Sequence, residues 1–136
     1  MISQQKSRQV SCRDFVFYRM QNQFLLYGAN GYTGRLIARM SKDYGLTPVL
    51  AGRNANALAA MGSELGLSYQ VIDLSDKEKL IEALRAFPLV LHAAGPFIHT
   101  AKPMVEACLE TGTHYIDITG EITVFEMLKR MDGPAR

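Results

Sequence analysis

The clearest chemical signal in the chain is Gly28-Ala-Asn-Gly31-Tyr-Thr-Gly34, three glycines spaced G-x-x-G-x-x-G. Glycines at this spacing, between a strand and a helix, can hold an anion with backbone alone. Gly28 permits a tight turn, Gly31 lets the backbone approach a diphosphate, and Gly34 lets the helix pack close to the sheet. The anion then rests against free N–H groups at the positive end of the helix. Isolated matches to this spacing are often plain glycine turns, so the context decides. Here the apolar run Phe24-Leu-Leu-Tyr27 precedes the turn and a helical pattern follows it. A bound dinucleotide is therefore expected, with Gly28, Asn30, Gly31, Tyr32, Thr33 and Gly34 around its phosphates. A methyltransferase-type fold places its cofactor at a similar turn, but the full glycine triplet favours a diphosphate. A P-loop is excluded, because no Gly-Lys-Ser/Thr follows.

The end of the second strand bears on which dinucleotide. An NAD-selective site places Asp or Glu there to accept from the ribose 2′-hydroxyl. This chain has Gly52-Arg53-Asn54 instead, and no acid lies between Asp43 and Glu64. Arg53 can make charge-assisted hydrogen bonds to a 2′-phosphate and stack on adenine. Asn54 can cap the second helix, whose first N–H groups add anion affinity. NADP is expected over NAD, against the plainer reading of Arg53 as a solvated turn arginine. Asp73 ends the third strand, where it either borders the adenine or begins a turn. Ala93-Ala94-Gly95-Pro96 follows the fourth strand, and small residues there let the backbone lie along the cofactor.

Other constellations carry less. His92, His99 and His114 are not spaced as metal ligands on one helix face, so no metal site is expected, and His92 reads as a satisfied core histidine. Asp117 and Glu121 sit at or past the end of the fifth strand as candidate acid/base groups. The favoured alternative has Asp117 orienting a loop and Glu121 in the first turn of the next helix. No G-x-S-x-G is present for a hydrolase of the nucleophile-elbow type.

The elements that must position these residues follow from apolar periodicity. Strands are expected at Phe24–Tyr27, Pro48–Ala51, Tyr69–Ile72, Pro88–His92 and Tyr115–Ile118. The first helix is expected over Arg35–Tyr44, with Leu36, Ile37 and Met40 as its inner face. The second carries Leu58, Met61 and Leu65 and stops at Gly66. Ser75-Asp-Lys-Glu78 reads as a capping box opening a third helix, with Leu80, Ile81 and Leu84 turned inward. Thr100 reads as the cap of a fourth helix, with Pro103 in its first turn and Gly112 at its end. Residues 122–130 begin another helix. Strands alternating with helices give an α/β fold: a Rossmann-type doubly wound parallel sheet of about five strands, order 3-2-1-4-5, in three αβα layers.

Composition sets the outer limits. A length of 136 residues suits one domain, and 48% hydrophobic with 21% charged residues is ordinary globular composition. The net charge of +2 is uneven: Lys6, Arg8, Arg13 and Arg19 against Asp14 give residues 1–22 a net +3. A nucleic-acid surface on the remainder is not expected. No apolar run approaches the ~20 residues of a membrane span, so no membrane partner is expected either. Cys12 and Cys108 without a secretory signal read as reduced thiols in a cytoplasmic protein. Residues 1–22 read as a polar, basic extension, disordered, or more remotely as an organelle leader. Residues 23–136 form the dinucleotide-binding domain.

With these residues placed, the chain resembles the NADP-binding domain of the saccharopine dehydrogenase-like oxidoreductases, including the branch of trans-acting enoyl reductases. The resemblance is carried by Tyr27-Gly-Ala-Asn-Gly-Tyr-Thr-Gly-Arg35, Leu50-Ala-Gly-Arg-Asn54 and His92-Ala-Ala-Gly-Pro-Phe97. Thr100-Ala-Lys-Pro103 and Gly112-Thr-His-Tyr-Ile-Asp-Ile-Thr-Gly-Glu121 extend it. It implies a reductase with hydride transfer at the carboxyl ends of the fourth and fifth strands, near Gly95–Phe97 and Thr119–Glu121. The resemblance also implies a substrate domain after this region, and the chain is expected to lack it. The expectation is therefore the cofactor half of an NADP-dependent oxidoreductase acting on a small-molecule substrate, cut short before that domain. The competing expectation is a stand-alone NADP-binding or redox-sensing module, dimerising through the uncovered fifth strand.

Overall fold

The computed structural model of the chain describes residues 22–135, so the extension and Cys12 lie outside the described residues. Within them a five-stranded parallel sheet forms in the order β3-β2-β1-β4-β5. The strands are β1 (Leu25–Tyr27), β2 (Val49–Gly52), β3 (Tyr69–Val71), β4 (Leu89–His92) and β5 (His114–Asp117). The helices between them are α1 (Tyr32–Met40), α2 (Ala55–Leu65), α3 (Lys77–Leu84) and α4 (Phe97–Thr111), and α5 (Ile122–Arg130) follows β5. The expected strand order is the one observed.

Both faces of the central strands are apolar because helices cover both. Leu25, Tyr27, Val49, Ala51 and Val90 face Leu80, Leu84, Met104 and Cys108 of α3 and α4. Leu26 and Leu50 face Ala38 of α1 and Leu58 and Met61 of α2. The register sets Tyr27 beside both Ala51 and His92, so the carboxyl ends of β2, β1 and β4 finish level with one another. That level edge carries the site.

Three local expectations are corrected. The first helix starts at Tyr32, and a 3₁₀ turn at Ser41–Tyr44 continues it. Its buried face is Gly34, Ala38 and Ser41, while Leu36 and Met40 are exposed at 51% and 43%. The reason is the closeness of the helix to the glycine turn. A Cβ at Gly34 would collide with the Gly28 carbonyl oxygen, so only small residues fit against the sheet there.

Second, Ser75 does not cap α3. Its N–H and hydroxyl both donate to Asp73 Oδ1, at 2.9 and 2.8 Å. The cap passes to Asp76, which accepts from the Lys79 N–H at 3.1 Å. The serine is turned back to donate to a carboxylate two residues earlier, and the Asp76 carboxylate takes the first-turn amide instead.

Third, α4 begins at Phe97 rather than near Thr100, and Pro103 lies inside it. The carbonyl that Pro103 leaves without a helical donor belongs to exposed His99, where water can serve. Asn54 caps α2 as expected, accepting from the Ala57 N–H at 3.0 Å. Gly66 and Gly112 end their helices in the left-handed conformation.

Candidate functional site

The site starts at Gly28. Its φ of +83° is open to glycine and costly for other residues, and a Cβ would stand 2.7 Å from the backbone of Ala93 and Ala94. The end of β1 can therefore turn directly against the end of β4. The turn is held by the Gly28 and Ala29 N–H groups, which donate to the Ala51 carbonyl at 2.8 and 3.2 Å. Arg35 Nε adds a bond to the Asn30 carbonyl at 3.1 Å.

Gly31 is the N-cap of α1, and no side chain caps that helix. The first helical bond is from Arg35 N–H to Gly31 O at 2.9 Å. The preceding N–H groups of the first turn, from Tyr32 to Gly34, point out of the helix end with no partner in its ladder. The neighbouring α2 and α3, by contrast, are capped by Asn54 and Asp76.

In front of this turn lies a cleft of ≈ 630 Å³ lined by Tyr27, Gly28, Asn30, Gly31, Gly52, Arg53, Asn54, Ala93, Ala94 and Gly95. Its size lies in the range of small-molecule and cofactor sites. A Cβ at Gly52 would stand 3.1 Å from Asn30 Oδ1, so the missing side chain lets Asn30 lie across the end of β2. Arg53 is exposed and forms no ion pair among the described residues. A second cavity of ≈ 300 Å³ adjoins the cleft, sharing Tyr27, Arg53, Ala94 and Gly95 and adding Asp73, Leu74, Pro96, His99 and Thr100.

The structure thus brings together eight of the expected residues: Gly28, Asn30, Gly31, Arg53, Asn54, Ala93, Ala94 and Gly95. Asp73 lies in the adjoining cavity, and it begins the turn by accepting from the Ser75 N–H and hydroxyl. Its carboxyl is held below the usual range by the Ser75 N–H and hydroxyl and then, more weakly, by the Arg53 charge. Tyr32, Thr33 and Gly34 do not line the cleft. Tyr32 is 91% exposed, and Gly34 is buried behind the turn.

Tyr27 and Gly52 line the cleft and were not among the expected residues. The signal for both was adjacency, since each directly precedes a residue that was. The Tyr27 hydroxyl donates to the Ile72 carbonyl at 3.1 Å. Burial, with the nearby Asp73 charge, pushes that phenol up to about 12. With its proton on the Ile72 carbonyl, Tyr27 contributes a wall to the cleft.

His92 sits just beneath the Ala93–Gly95 lining, buried between Tyr27, stacked at 5.5 Å, and Phe97, edge-on at 5.3 Å. The Thr100 hydroxyl has one proton, and the Ala94 carbonyl takes it at 2.6 Å. Thr100 Oγ1 therefore accepts from His92 Nε2–H at 2.9 Å. That tautomer leaves Nδ1 a bare acceptor, buried with no hydrogen-bond partner among the described residues. The expected satisfied histidine is half satisfied.

Burial drives the imidazole down to about 4, against a smaller upward pull from Asp117. A histidine lowered from 6.5 to about 4 binds its proton more readily in the unfolded chain. Stability is therefore kept above pH 6.5 and falls as pH drops toward 4. Urea unfolding at pH 7.5 and pH 5 should differ by about 2 kcal/mol from this group. His92→Phe should remove that part of the pH dependence; an unchanged dependence would refute the assignment.

Asp117 accepts from the Tyr115 hydroxyl at 2.7 Å and the Thr119 N–H at 3.2 Å, which orients the loop after β5. Glu121 is the N-cap position of α5, but its carboxylate does not cap that helix. Its two oxygens accept from the N–H groups of Phe97 and Ile98 at the start of α4, each at 2.9 Å. Among the described residues no group of three or more His, Cys, Asp or Glu side chains could hold a metal ion. No helix there is long and apolar enough to cross a membrane.

Comparison with known proteins gives this edge a context. Residues 24–132 match the family described as the saccharopine dehydrogenase NADP binding domain. A trans-acting enoyl reductase of Mycobacterium ulcerans is 33% identical over 107 residues, which are 74% of this chain and 26% of that protein. A saccharopine dehydrogenase-like oxidoreductase of Rattus norvegicus is 30% identical over 127 residues, 78% of this chain and 29% of that protein. The chain thus spans about a quarter of the length of these relatives.

Among solved structures, apo saccharopine dehydrogenase (L-Glu forming) of Saccharomyces cerevisiae superposes with a TM-score of 0.66 at 17% identity, covering 83% of this chain and 24% of that one. The binary complex of leucoanthocyanidin reductase with NADPH from Vitis vinifera gives a TM-score of 0.62 at 16% identity, covering 83% and 45%. At such identities these structures speak for the fold alone.

Proposed function

Because the chain belongs to the family of saccharopine dehydrogenase NADP-binding domains, we propose that it is the cofactor-holding part of an NADP-dependent oxidoreductase acting on a small-molecule substrate. The observation that carries this reading is the cleft in front of Gly31: a helix start without a side-chain cap, a lining rich in glycine and alanine, and an exposed guanidinium on its rim. This set of groups suits a phosphorylated dinucleotide.

In this reading the first-turn N–H groups of α1 take the diphosphate, with the helix dipole behind them. Arg53 takes the 2′-phosphate. Asn54 has its side-chain oxygen committed to Ala57, so it supports the α2 end rather than competing for the ligand. Asn30, lying across Gly52, closes the floor between the two phosphate positions. Ala93, Ala94 and Gly95 leave room for the ligand's backbone-side approach over β4. When bound, NADPH supplies a hydride to the substrate.

The groups that hold the substrate are supplied in this reading by polypeptide outside residues 22–135. The relatives, about four times as long as the matched region, have room for such parts. The reading is tested by calorimetric titration of the purified chain with NADPH and with NADH. It requires one site that prefers the phosphorylated cofactor.

A further inference from the structure

We infer that Glu121 is a positioning residue for the nicotinamide half of the cofactor, an inference that rests on the cofactor reading above. The sequence suggests an acid/base group or a first-turn charge at this position. The geometry points elsewhere. Both carboxylate oxygens are taken, by Phe97 N–H and Ile98 N–H at 2.9 Å each. The carboxylate reaches them across 24 positions of sequence, from the loop after β5 to the loop after β4.

What the clamp holds gives it a function. Pro96 is the N-cap of α4 and offers no side chain to that helix, so without Glu121 these two N–H groups have no cap. The segment Ala94-Gly95-Pro96 runs directly into them, and it forms part of the wall of both cavities. Thr100 pins the same segment from beneath, donating to the Ala94 carbonyl at 2.6 Å. Glu121 pins its far end. The charge fits the place, since a carboxylate at a helix start is favoured by the dipole and binds N–H groups strongly. Thr119 Oγ1 accepts from the Glu121 N–H at 3.1 Å, and Asp117 holds Thr119, so the clamp is itself anchored to the end of β5.

The position also selects which half of the ligand it serves. Arg53 lies at the end of β2, so the adenosine half lies on the β2–β3 side. A dinucleotide whose diphosphate crosses the start of α1 must place its other half over the ends of β4 and β5. Those are the two loops that Glu121 ties together. Each carboxylate oxygen holds one backbone N–H, so the group acts here by position. It sets the distance between the two loops.

The test compares two ligands on the whole chain: NADPH, which uses both halves of the site, and adenosine 2′,5′-bisphosphate, which uses only the β2 side. Glu121→Ala should weaken NADPH about tenfold and leave the bisphosphate within about twofold. Glu121→Gln keeps one acceptor oxygen and should fall between wild type and Glu121→Ala for NADPH. Thermal melts of each variant separate loss of folding from loss of the clamp, and Glu121→Gln serves where the alanine variant does not fold. Equal losses for both ligands would make the residue merely structural and overturn the inference, as would unchanged NADPH affinity. A wild-type chain that binds neither ligand would instead refute the cofactor reading on which the inference rests.

Discussion

Gly31→Val is expected to abolish measurable NADPH binding, weakening it at least about a hundredfold, while leaving the thermal midpoint near that of the wild type. The two halves of this outcome have separate causes. Gly31 has φ −72° and ψ 170°, a conformation that any residue adopts. A Cβ there meets only the Gly28 carbonyl oxygen, at 3.3 Å, so the protein has room for it with a small adjustment. The side chain must then project into the cleft that Gly31 lines, over the start of α1. It takes the place proposed for a phosphate and screens the first-turn N–H groups. A hundredfold loss corresponds to about 2.7 kcal/mol, which is modest for excluding a doubly hydrogen-bonded anion.

Gly28→Ala is the informative contrast. It combines a positive φ with backbone contacts at 2.7 Å, and it should damage folding itself. Calorimetry and a melting curve on both variants separate a ligand position from a folding position. If Gly31→Val bound NADPH normally, the diphosphate would lie elsewhere.

Arg53→Ala is expected to reduce NADPH affinity about tenfold and to leave NADH affinity nearly unchanged. A charge-assisted hydrogen bond contributes roughly 1.5–3 kcal/mol, and each 1.4 kcal/mol is a factor of ten. The lower end applies because Arg53 is exposed, where water and salt weaken the attraction. Folding should be unaffected, since Arg53 makes no ion pair among the described residues. Arg53→Lys should recover only part of the loss, because an ammonium cannot present two parallel N–H groups. Raising the salt concentration should shrink the wild-type preference in the same direction as the mutation. An arginine that served only as a solvated turn residue would show neither effect.

The central strands and their order were legible in the sequence because parallel strands covered on both faces are short, continuous apolar runs set off by glycines. Gly28, Gly66 and Gly112 were legible for the same reason that they are glycine: each stands at positive φ. The glycine turn and Arg53 were legible because the chemistry there is carried by contiguous residues at the ends of strands.

The misread features depend on contacts between distant segments. Leu36 and Met40 have the spacing of a buried face, but the near contact of Gly34 with Gly28 rotates that face outward. Thr100 and Pro103 look like the start of a helix locally. The start lies earlier because Glu121, far along the chain, supplies the cap. Ser75 looks like a cap until Asp73 claims its hydroxyl. His92 reads as satisfied until the single proton of Thr100 is assigned to Ala94, which leaves Nδ1 bare. Local pattern fixes periodicity; it does not fix which of several acceptors a donor meets.

The measurement that bears most directly on the account is calorimetric titration of the unaltered chain with NADPH and NADH under one low-salt condition. A single site with NADPH bound roughly tenfold more tightly is the predicted result, the difference being the 2′-phosphate on Arg53. Equal affinity for the two cofactors would contradict the placement of the 2′-phosphate. No binding of either would contradict the cleft at Gly31 as a dinucleotide site.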